Sequence, residues 1–334
     1  MCGKVGSMRG RLRRGLRTVV VLSLLVPALL ASACGGQNQG SSNETVSNKL
    51  RVVATTTQIG DFVRQVGGDA VDAHQILQPN SDPHDYEPRP ADVEATAGAR
   101  VVFVNGDTLD SWMNQVVSES GGSPTVIDLS ESVPERLPGE TGGEEASRFD
   151  PHWWHDPRNA EAAVTEIRDA MIEADPDHAA DYQRNADTYL AKIEGLDEGI
   201  QNCMDRVPAD QRKLVTDHDA FNYFANRYGI QVVGAVIPSQ STQAQPSAGE
   251  VADLISLIKR ENVKAVFPES SINPNLAQTI ARETGASADY TLYGDTLGED
   301  GSDGDTYLKM EAANADAMAR GFTGGQDSCS IAVS

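Results

Sequence analysis

Residues 179–206 read AADYQRNADTYLAKIEGLDEGIQNCMDR, a stretch without proline and with few glycines. Its apolar side chains recur at helical spacing: Tyr182, Ala186, Tyr189, Ile193, Leu196 and Ile200. The pattern predicts one helix of about 25–28 residues, or about 40 Å at ~1.5 Å per residue. Because strand and helix patterns alternate on both sides of it, this helix is predicted to be a rigid connector between two lobes.

Before the connector, short β-branched runs alternate with helical stretches. Strands are predicted at 50–55, 71–77, 101–104 and 125–129, and helices at 58–66 and 90–97. Residues 131–149 carry Pro, Gly and Glu without periodicity, which predicts an exposed loop. Asp156-Pro157 then predicts a helix start, because Asp is a good N-cap and Pro is accepted in the first turn.

The same alternation follows the connector. Strands are predicted at 213–216, 231–237, 265–267 and 288–292, and helices at 220–228, 247–261, 275–284 and 306–319. Such patterns are typical of parallel βαβ units, so the predicted fold class is α/β, with two parallel-sheet lobes. The predicted boundaries are 50–177 for the N-terminal α/β lobe, 178–207 for the connector helix and 208–334 for the C-terminal α/β lobe.

The start of the chain has the features of an export signal. Basic residues without any acidic one precede an apolar run from Val19 to Leu30, which is too short to span a bilayer permanently. Small residues lead to Cys34 and a polar tether follows, a pattern that resembles a bacterial lipoprotein signal. We predict a signal peptide at 1–33, lipidation of Cys34 and a flexible tether at 34–49. The protein would then be extracytoplasmic and held at the bacterial cell membrane by its lipid anchor only, with ordinary secretion as the alternative.

The chain is strongly acidic, with a formal net charge of −22 that becomes more negative once the basic signal is removed. This charge argues against nucleic acid or anionic lipid as a partner. Of the four cysteines, Cys2 lies in the predicted signal and Cys34 would be lipidated. Cys203 and Cys329 remain as an even pair in an oxidising compartment, which favours a disulfide over two unrelated thiols.

Three of the six histidines follow predicted strands, where open parallel sheets bind their ligands. His84 and His152 each end an Asp-Pro-His tripeptide, and His218 lies at a strand-to-helix turn. His74 lies within a predicted strand and His178 begins the connector, so neither joins this set. The three strand-end histidines are therefore candidate metal ligands.

Acidic side chains complete the candidate site. Asp82 and Asp150, in the two tripeptides, can orient the neighbouring imidazoles, as outer carboxylates do at metal sites. Glu269 and Asp295 also follow predicted strands. Three imidazoles with an acidic fourth group and no thiolate suit Zn²⁺, and also Mn²⁺, although manganese favours more carboxylate. With ligands from both lobes, the predicted site lies in the cleft between them.

Several segments together resemble a known family. They are NSDPHDYEPRPADV (80–93), ARVVFVNGD (99–107), DPHWWHDPRNA (150–160), VTDHDAFNYFANRYG (215–229) and YGDTLGEDG (293–301). From about residue 50 to 320, the chain resembles the zinc/manganese-specific solute-binding lipoproteins of ABC importers, the cluster A-I or cluster 9 family. The resemblance implies a C-clamp fold that carries one metal ion, as transported ligand, to the membrane permease of an ABC importer. A monomer is expected.

Carried over residue by residue, the resemblance implies His84, His152, His218 and Asp295 as metal ligands. His218 occupies a position where manganese-type members often have Glu, which favours zinc. Many zinc-type members have a His-rich loop where this chain has 135–149, and here that loop is acidic and without histidine.

The stretch DPHWWHDP (150–157) contains two histidines, which the resemblance separates. His152 takes the ligand position, whereas His155 falls on a variable position and is predicted to face solvent or the cleft rim, as a weak accessory at best. Trp154 is predicted to pack beneath the site, and Glu269 to be an outer or structural residue.

Two other functions stay open from the sequence. An exported zinc hydrolase would need an open coordination position and a general base, for which Glu269 is the obvious candidate. A binder of a metal chelate such as a siderophore or corrinoid would need an open cleft lined by aromatic residues or Arg. Converging histidines favour the binding protein, so no enzymatic activity is predicted.

Overall fold

A computed structural model describes residues 49–142 and 146–333. The predicted signal peptide, Cys34 and all of the tether except Lys49 lie outside the described residues. Among the described helices, none has both the length and the apolarity that spanning a bilayer requires.

The N-terminal lobe is a parallel sheet flanked by helices. The elements are β1 (Leu50–Ala54), α1 (Thr57–Gly67), β2 (Val71–Gln75), α2 (Pro90–Ala97), β3 (Val101–Val104), α3 (Met113–Ser120), β4 (Thr125–Asp128) and α4 (Pro157–Ala174). The pairing order of the strands is β2-β1-β3-β4, with Val52 opposite Ala73 on one side and Val101 on the other. The sequence pattern did not predict α3, a short helix that ends at Ser120 and is capped by Gly121 in the left-handed conformation.

The connector is helix α5 (Ala179–Met204), and its six predicted apolar positions are all buried. It packs against α1, α4 and the last helix of the chain, α9 (Tyr307–Thr323). The buried carboxylate of Asp61 on α1 accepts hydrogen bonds from the Tyr189 hydroxyl on α5, at 3.2 Å, and from the Tyr307 backbone N–H, at 3.0 Å. These contacts join the connector to an element of each lobe.

The C-terminal lobe repeats the parallel α/β pattern. Its remaining elements are β5 (Lys213–Thr216), α6 (Asn222–Tyr228), β6 (Gln231–Ala235), α7 (Ala248–Glu261) and α8 (Asn275–Thr284). β5 pairs with β6, and the two-lobed parallel α/β prediction is confirmed.

Two predicted strands of this lobe, at 265–267 and 288–292, form only single parallel bridges. The first bridges Phe267 to Thr216 of β5, and Glu269 bridges onward to Leu292. Pro268 interrupts the run, and because proline has no backbone N–H, a regular ladder cannot pass through it. Glu269 nevertheless ends up beside the carboxyl end of β5, where His218 follows.

A disulfide joins Cys203 on the connector to Cys329 in the C-terminal tail, with 5.6 Å between the two Cα atoms. The bridge therefore holds the chain end against the connector. The tail is also held by a hydrogen bond from the Cys329 N–H to Asp316 on α9, at 2.7 Å.

Candidate metal centre

His84 is presented by a single 3-10 turn, Pro83–Asp85, after β2. Asp82 caps this turn, because its Oδ1 accepts the His84 N–H at 2.9 Å. The other Asp82 oxygen accepts the Thr242 hydroxyl at 2.6 Å, which links this turn to the C-terminal lobe. The His84 side chain is partly exposed, but its Nε2 is buried and points inward.

His152 lies at the end of the long loop that follows β4, and its side chain is fully buried. Asp150, also fully buried, holds it twice: one carboxylate oxygen accepts the His152 backbone N–H at 3.0 Å and lies 2.7 Å from Nδ1. Proline between the two restricts the backbone and keeps this arrangement. With Nδ1–H donated to a carboxylate, Nε2 is left with its lone pair for a metal.

His218 has the same arrangement in the other lobe. It follows β5, its side chain is fully buried, and Glu269 Oε1 accepts its backbone N–H at 2.9 Å and lies 3.0 Å from Nδ1. The Glu269 N–H is held in turn by Asp217, at 2.8 Å. Each of the two buried imidazoles therefore has one carboxylate that fixes its orientation and its tautomer.

Asp295 lies in the loop before α9 and is fully buried. Its two carboxylate oxygens lie 3.5 Å from His152 Nε2 and 3.4 Å from His218 Nε2. Two residues at the start of α1 hold this loop. Gln58 donates to the Asp295 carbonyl at 3.0 Å, and the Thr57 hydroxyl accepts the Leu297 N–H at 2.8 Å. The sequence analysis identified neither residue. No local pattern around Thr57 or Gln58 indicates contact with a loop more than two hundred residues away.

The four predicted ligands converge on one point. One ligand atom from each of His84, His152, His218 and Asp295 lies within 4.8 Å of all the others. His152 Nε2 and His218 Nε2 face each other at 3.4 Å. His74 and His178 lie elsewhere, paired with Asp92 and Asp175.

Electrostatics at this point favour a cation. Burial lowers the pKa of His152, but the Asp150 and Asp295 carboxylates outweigh burial and raise the pKa to about 9. Burial also lowers the pKa of His218, and Asp295 with Glu269 raises it well above its usual range. Burial raises the pKa of Asp295, yet the surrounding histidines hold that pKa well below its usual range. The cluster thus keeps positive charge in a buried place.

Trp154 and His155 are ring-bearing neighbours of His152 in the chain, and both are buried. Trp154 packs against the His152 ring, with 5.4 Å between ring centroids, and donates its indole N–H to the Gly294 carbonyl at 3.2 Å. It therefore packs directly against one of the four candidate ligands. The exposure predicted for His155 is wrong: its side chain is fully buried, stacks on Phe221 at 4.3 Å, and places Nδ1 2.7 Å from Glu311 on α9.

The described part of the loop at 135–149 lies beside the same cleft. A cavity of about 160 Å³ opens there, lined by side chains from both lobes that include His84, Glu140 and Gln240. Of the four candidate ligands, His84 lines this cavity, and the cavity is far smaller than the ~300–1,000 Å³ of typical small-molecule sites.

Comparisons with known proteins place the chain among metal-binding proteins. Residues 52–321 match the family described as "Zinc-uptake complex component A periplasmic". The "Manganese-binding lipoprotein MntA" of Halalkalibacterium halodurans is 31% identical over 300 residues, which cover 90% of this chain and 97% of that protein. The "Iron-binding protein YfeA" of Yersinia pestis is 32% identical over 307 residues, covering 92% and 95%. The solved periplasmic zinc-binding protein TroA from Treponema pallidum superposes with a TM-score of 0.75 at 29% identity, covering 82% of this chain and 99% of TroA.

Proposed function

The chain belongs to the family of periplasmic zinc-uptake components and related metal-binding lipoproteins of ABC importers, and on that premise we propose that it captures one Zn²⁺ ion per chain and delivers it to a membrane permease. It is an extracytoplasmic, lipid-anchored, metal-binding component of an ABC transporter. The identity of the ion, the four ligands and the monomeric state are our proposal.

One observation carries this proposal: two imidazole Nε2 atoms face each other at 3.4 Å while the Nδ1 atom of each is held by a carboxylate. If both Nδ1–H groups donate to Asp150 and Glu269, two lone pairs point at one another. That arrangement is unfavourable unless a proton or a metal cation lies between them. A divalent cation satisfies both nitrogens and the Asp295 carboxylate at once.

The spacing of the two imidazoles is compatible with zinc. In a tetrahedral site with Zn–N bonds of about 2.0–2.1 Å, two nitrogen ligands lie about 3.3–3.4 Å apart. His152 Nε2 and His218 Nε2 lie 3.4 Å apart, and each has a different Asp295 oxygen nearby, at 3.5 and 3.4 Å. His84 supplies the fourth corner. Three nitrogens with one oxygen are also a donor set that zinc prefers over the harder manganese ion.

Manganese remains the second candidate, because relatives named for manganese and for iron are similar over most of their length. The hydrolase alternative receives no support: four protein ligands fill a tetrahedral zinc site, and Glu269 already holds His218. The chelate alternative is also disfavoured, since the opening of about 160 Å³ is too small for a siderophore or a corrinoid.

The test uses the mature protein, stripped of metal with a chelator and then titrated with Zn²⁺ and with Mn²⁺. We expect one Zn²⁺ per chain and no displacement of Zn²⁺ by equimolar Mn²⁺. His152→Ala should lose tight binding, whereas His178→Ala, at a histidine outside the cluster, should not. Absence of stoichiometric binding of either ion would overturn the proposal, and displacement of Zn²⁺ by Mn²⁺ would overturn only the choice of metal.

His218→Glu examines the choice of metal directly. A carboxylate in place of the third imidazole gives two nitrogens and two carboxylates, which shifts the preference towards manganese. We expect the ratio of Zn²⁺ to Mn²⁺ affinity to fall by more than tenfold in this variant. An unchanged ratio would show that His218 does not contribute to metal selection.

A further inference from the structure

The acidic loop before His152 forms a short hairpin in the part that the structure describes. Pro138 and Phe149 form an antiparallel bridge, and Gly139 donates its N–H to the Arg148 carbonyl at 3.0 Å. The Asp150 N–H bonds back to the Leu137 carbonyl at 3.0 Å. The hairpin therefore ends at Asp150, the residue whose carboxylate lies against His152 Nδ1.

Glu140, on this hairpin, reaches across the cleft to the other lobe. One of its carboxylate oxygens accepts the Gln240 backbone N–H at 2.6 Å, and the other accepts the Ser239 hydroxyl at 2.9 Å. The Gln240 side-chain amide returns a longer bond to the Pro138 carbonyl, at 3.4 Å. Ser239 and Gln240 are buried and Glu140 is half-buried, so these charge-assisted bonds are partly screened from solvent.

The segment that Glu140 contacts is joined to His218. The Ser239 carbonyl accepts the Asp219 N–H at 2.9 Å, and the Asp217 carbonyl accepts the Ile237 N–H at 2.7 Å. The residues on both sides of His218 are thus hydrogen-bonded to the segment that follows β6. Through Glu140, the hairpin that leads to His152 is connected to the segment that holds His218.

These residues also line the opening above the ligands. Glu140, Ser239 and Gln240 border the cavity of about 160 Å³ that His84 faces from the other side. An ion that enters or leaves the cluster through this opening passes the bonds of Glu140. Widening the opening requires those bonds to break.

We propose that Glu140, with Ser239 and Gln240, forms a latch across the cleft that sets the rate of metal exchange. The inference rests on the proposed metal-binding function and goes beyond it, because Glu140 is not a ligand. Glu140 is a positioning residue: it joins two ligand-bearing segments at the opening, so its loss speeds passage in both directions. Affinity then changes much less than either rate.

The experiment compares Glu140→Ala with Glu131→Ala, a matched control that removes an exposed carboxylate from the same loop. Zinc-loaded protein is mixed with excess chelator to measure the dissociation rate, and metal-free protein is mixed with Zn²⁺ to measure the association rate. Because hydrogen bonds to charged groups are the strong ones, we expect dissociation and association each to be about tenfold faster in Glu140→Ala. The dissociation constant should change less than about threefold.

Ser239→Ala supplies a second test, since it removes one of the two bonds and leaves the Gln240 N–H. It should speed dissociation by a smaller factor, and the double variant should be no faster than Glu140→Ala alone. A thermal melt of each metal-free variant separates the latch from a general loss of stability.

Three outcomes overturn the latch: rates equal to those of Glu131→Ala, weaker affinity with an unchanged association rate, or additive effects in the double variant. Failure of the wild-type protein to bind metal would instead overturn the proposed function, so the two results are distinguishable.

Discussion

Replacement of Asp150 by asparagine tests how much the outer carboxylates contribute to metal binding. The change is nearly isosteric and keeps one oxygen that can accept the His152 N–H and the Nδ1 proton, now at 3.0 and 2.7 Å. The new amide would face the Asn222 side-chain amide, which donates to Asp150 at 3.1 Å, and rotation of Asn222 removes that conflict. What is lost is therefore mainly one buried negative charge.

Two opposing effects decide the magnitude. With a Zn–N bond of about 2 Å, an imidazole and the 2.7 Å contact, the metal would lie about 7 Å from the Asp150 carboxylate. At an effective dielectric constant of about 20, removing this carboxylate charge costs the bound divalent cation about 5 kcal/mol of Coulomb attraction. Against this, a His152 pKa of about 9 means that binding at pH 7.5 must displace a proton at a cost of about 2 kcal/mol, a cost that Asp150→Asn relieves. The difference of about 3 kcal/mol corresponds to roughly 100-fold weaker binding.

The measurement is a competition titration of Zn²⁺ against a chelator of known affinity, at several pH values. Asp175→Asn is the matched control, because Asp175 holds His178 Nδ1 at the same 2.7 Å but far from the cluster. We expect about 100-fold weaker binding in Asp150→Asn, a shallower dependence of its affinity on pH, and neither change in Asp175→Asn. If Asp150→Asn bound Zn²⁺ as tightly as the wild type, the reasoning that the buried Asp150 charge strengthens metal binding would be refuted.

Three further predictions concern pH, the buried His155 and the disulfide. Because His152 has a raised pKa of about 9 and binding displaces its proton, Zn²⁺ affinity of the wild type should fall at least tenfold for each pH unit below pH 8, measured by competition titration. His155→Ala should leave Zn²⁺ affinity within about threefold but lower the free energy of unfolding by about 2–4 kcal/mol, because it opens a cavity and strands the buried Glu311; a large loss of affinity with unchanged stability would contradict this. Removing the disulfide with Cys203→Ala and Cys329→Ala together should lower the free energy of unfolding by about 2–5 kcal/mol in denaturant titrations, since the bridge spans a sequence separation of 126 residues, and should not alter metal affinity.

Local sequence patterns predicted most of the fold. The connector was predicted at 179–206 and runs from Ala179 to Met204, because burial on one face of a long helix leaves a clear period. The four strands of the first lobe were predicted as well, because short β-branched runs between helical stretches are typical of buried parallel strands. The predicted strands at 265–267 and 288–292 form isolated parallel bridges and no regular ladder. Their apolar pattern predicts strands, but it does not show that Pro268, which lacks a backbone N–H, stops the ladder after Phe267.

The candidate site could be predicted as far as its residues lie in rigid local motifs. The two Asp-Pro-His tripeptides and the strand-end His218 stand out in the sequence, and the structure brings these histidines together and places Asp150 2.7 Å from His152 Nδ1. His155 was misjudged because its burial depends on Glu311, a residue 156 positions away with no local sign of the pairing. Contacts between remote segments are what a single sequence, read by local pattern, does not show.

The loop of Asp295 belongs by sequence to the C-terminal part of the chain, but its backbone is held by the N-terminal lobe. The Gln58 side chain donates to the Asp295 carbonyl, and the Trp154 indole N–H donates to the Gly294 carbonyl. The Thr57 hydroxyl oxygen accepts the Leu297 N–H. Three buried hydrogen bonds of about 1 kcal/mol each resist removal of this loop from the first lobe. We therefore expect Asp295 to stay with the first lobe in any small motion between the lobes.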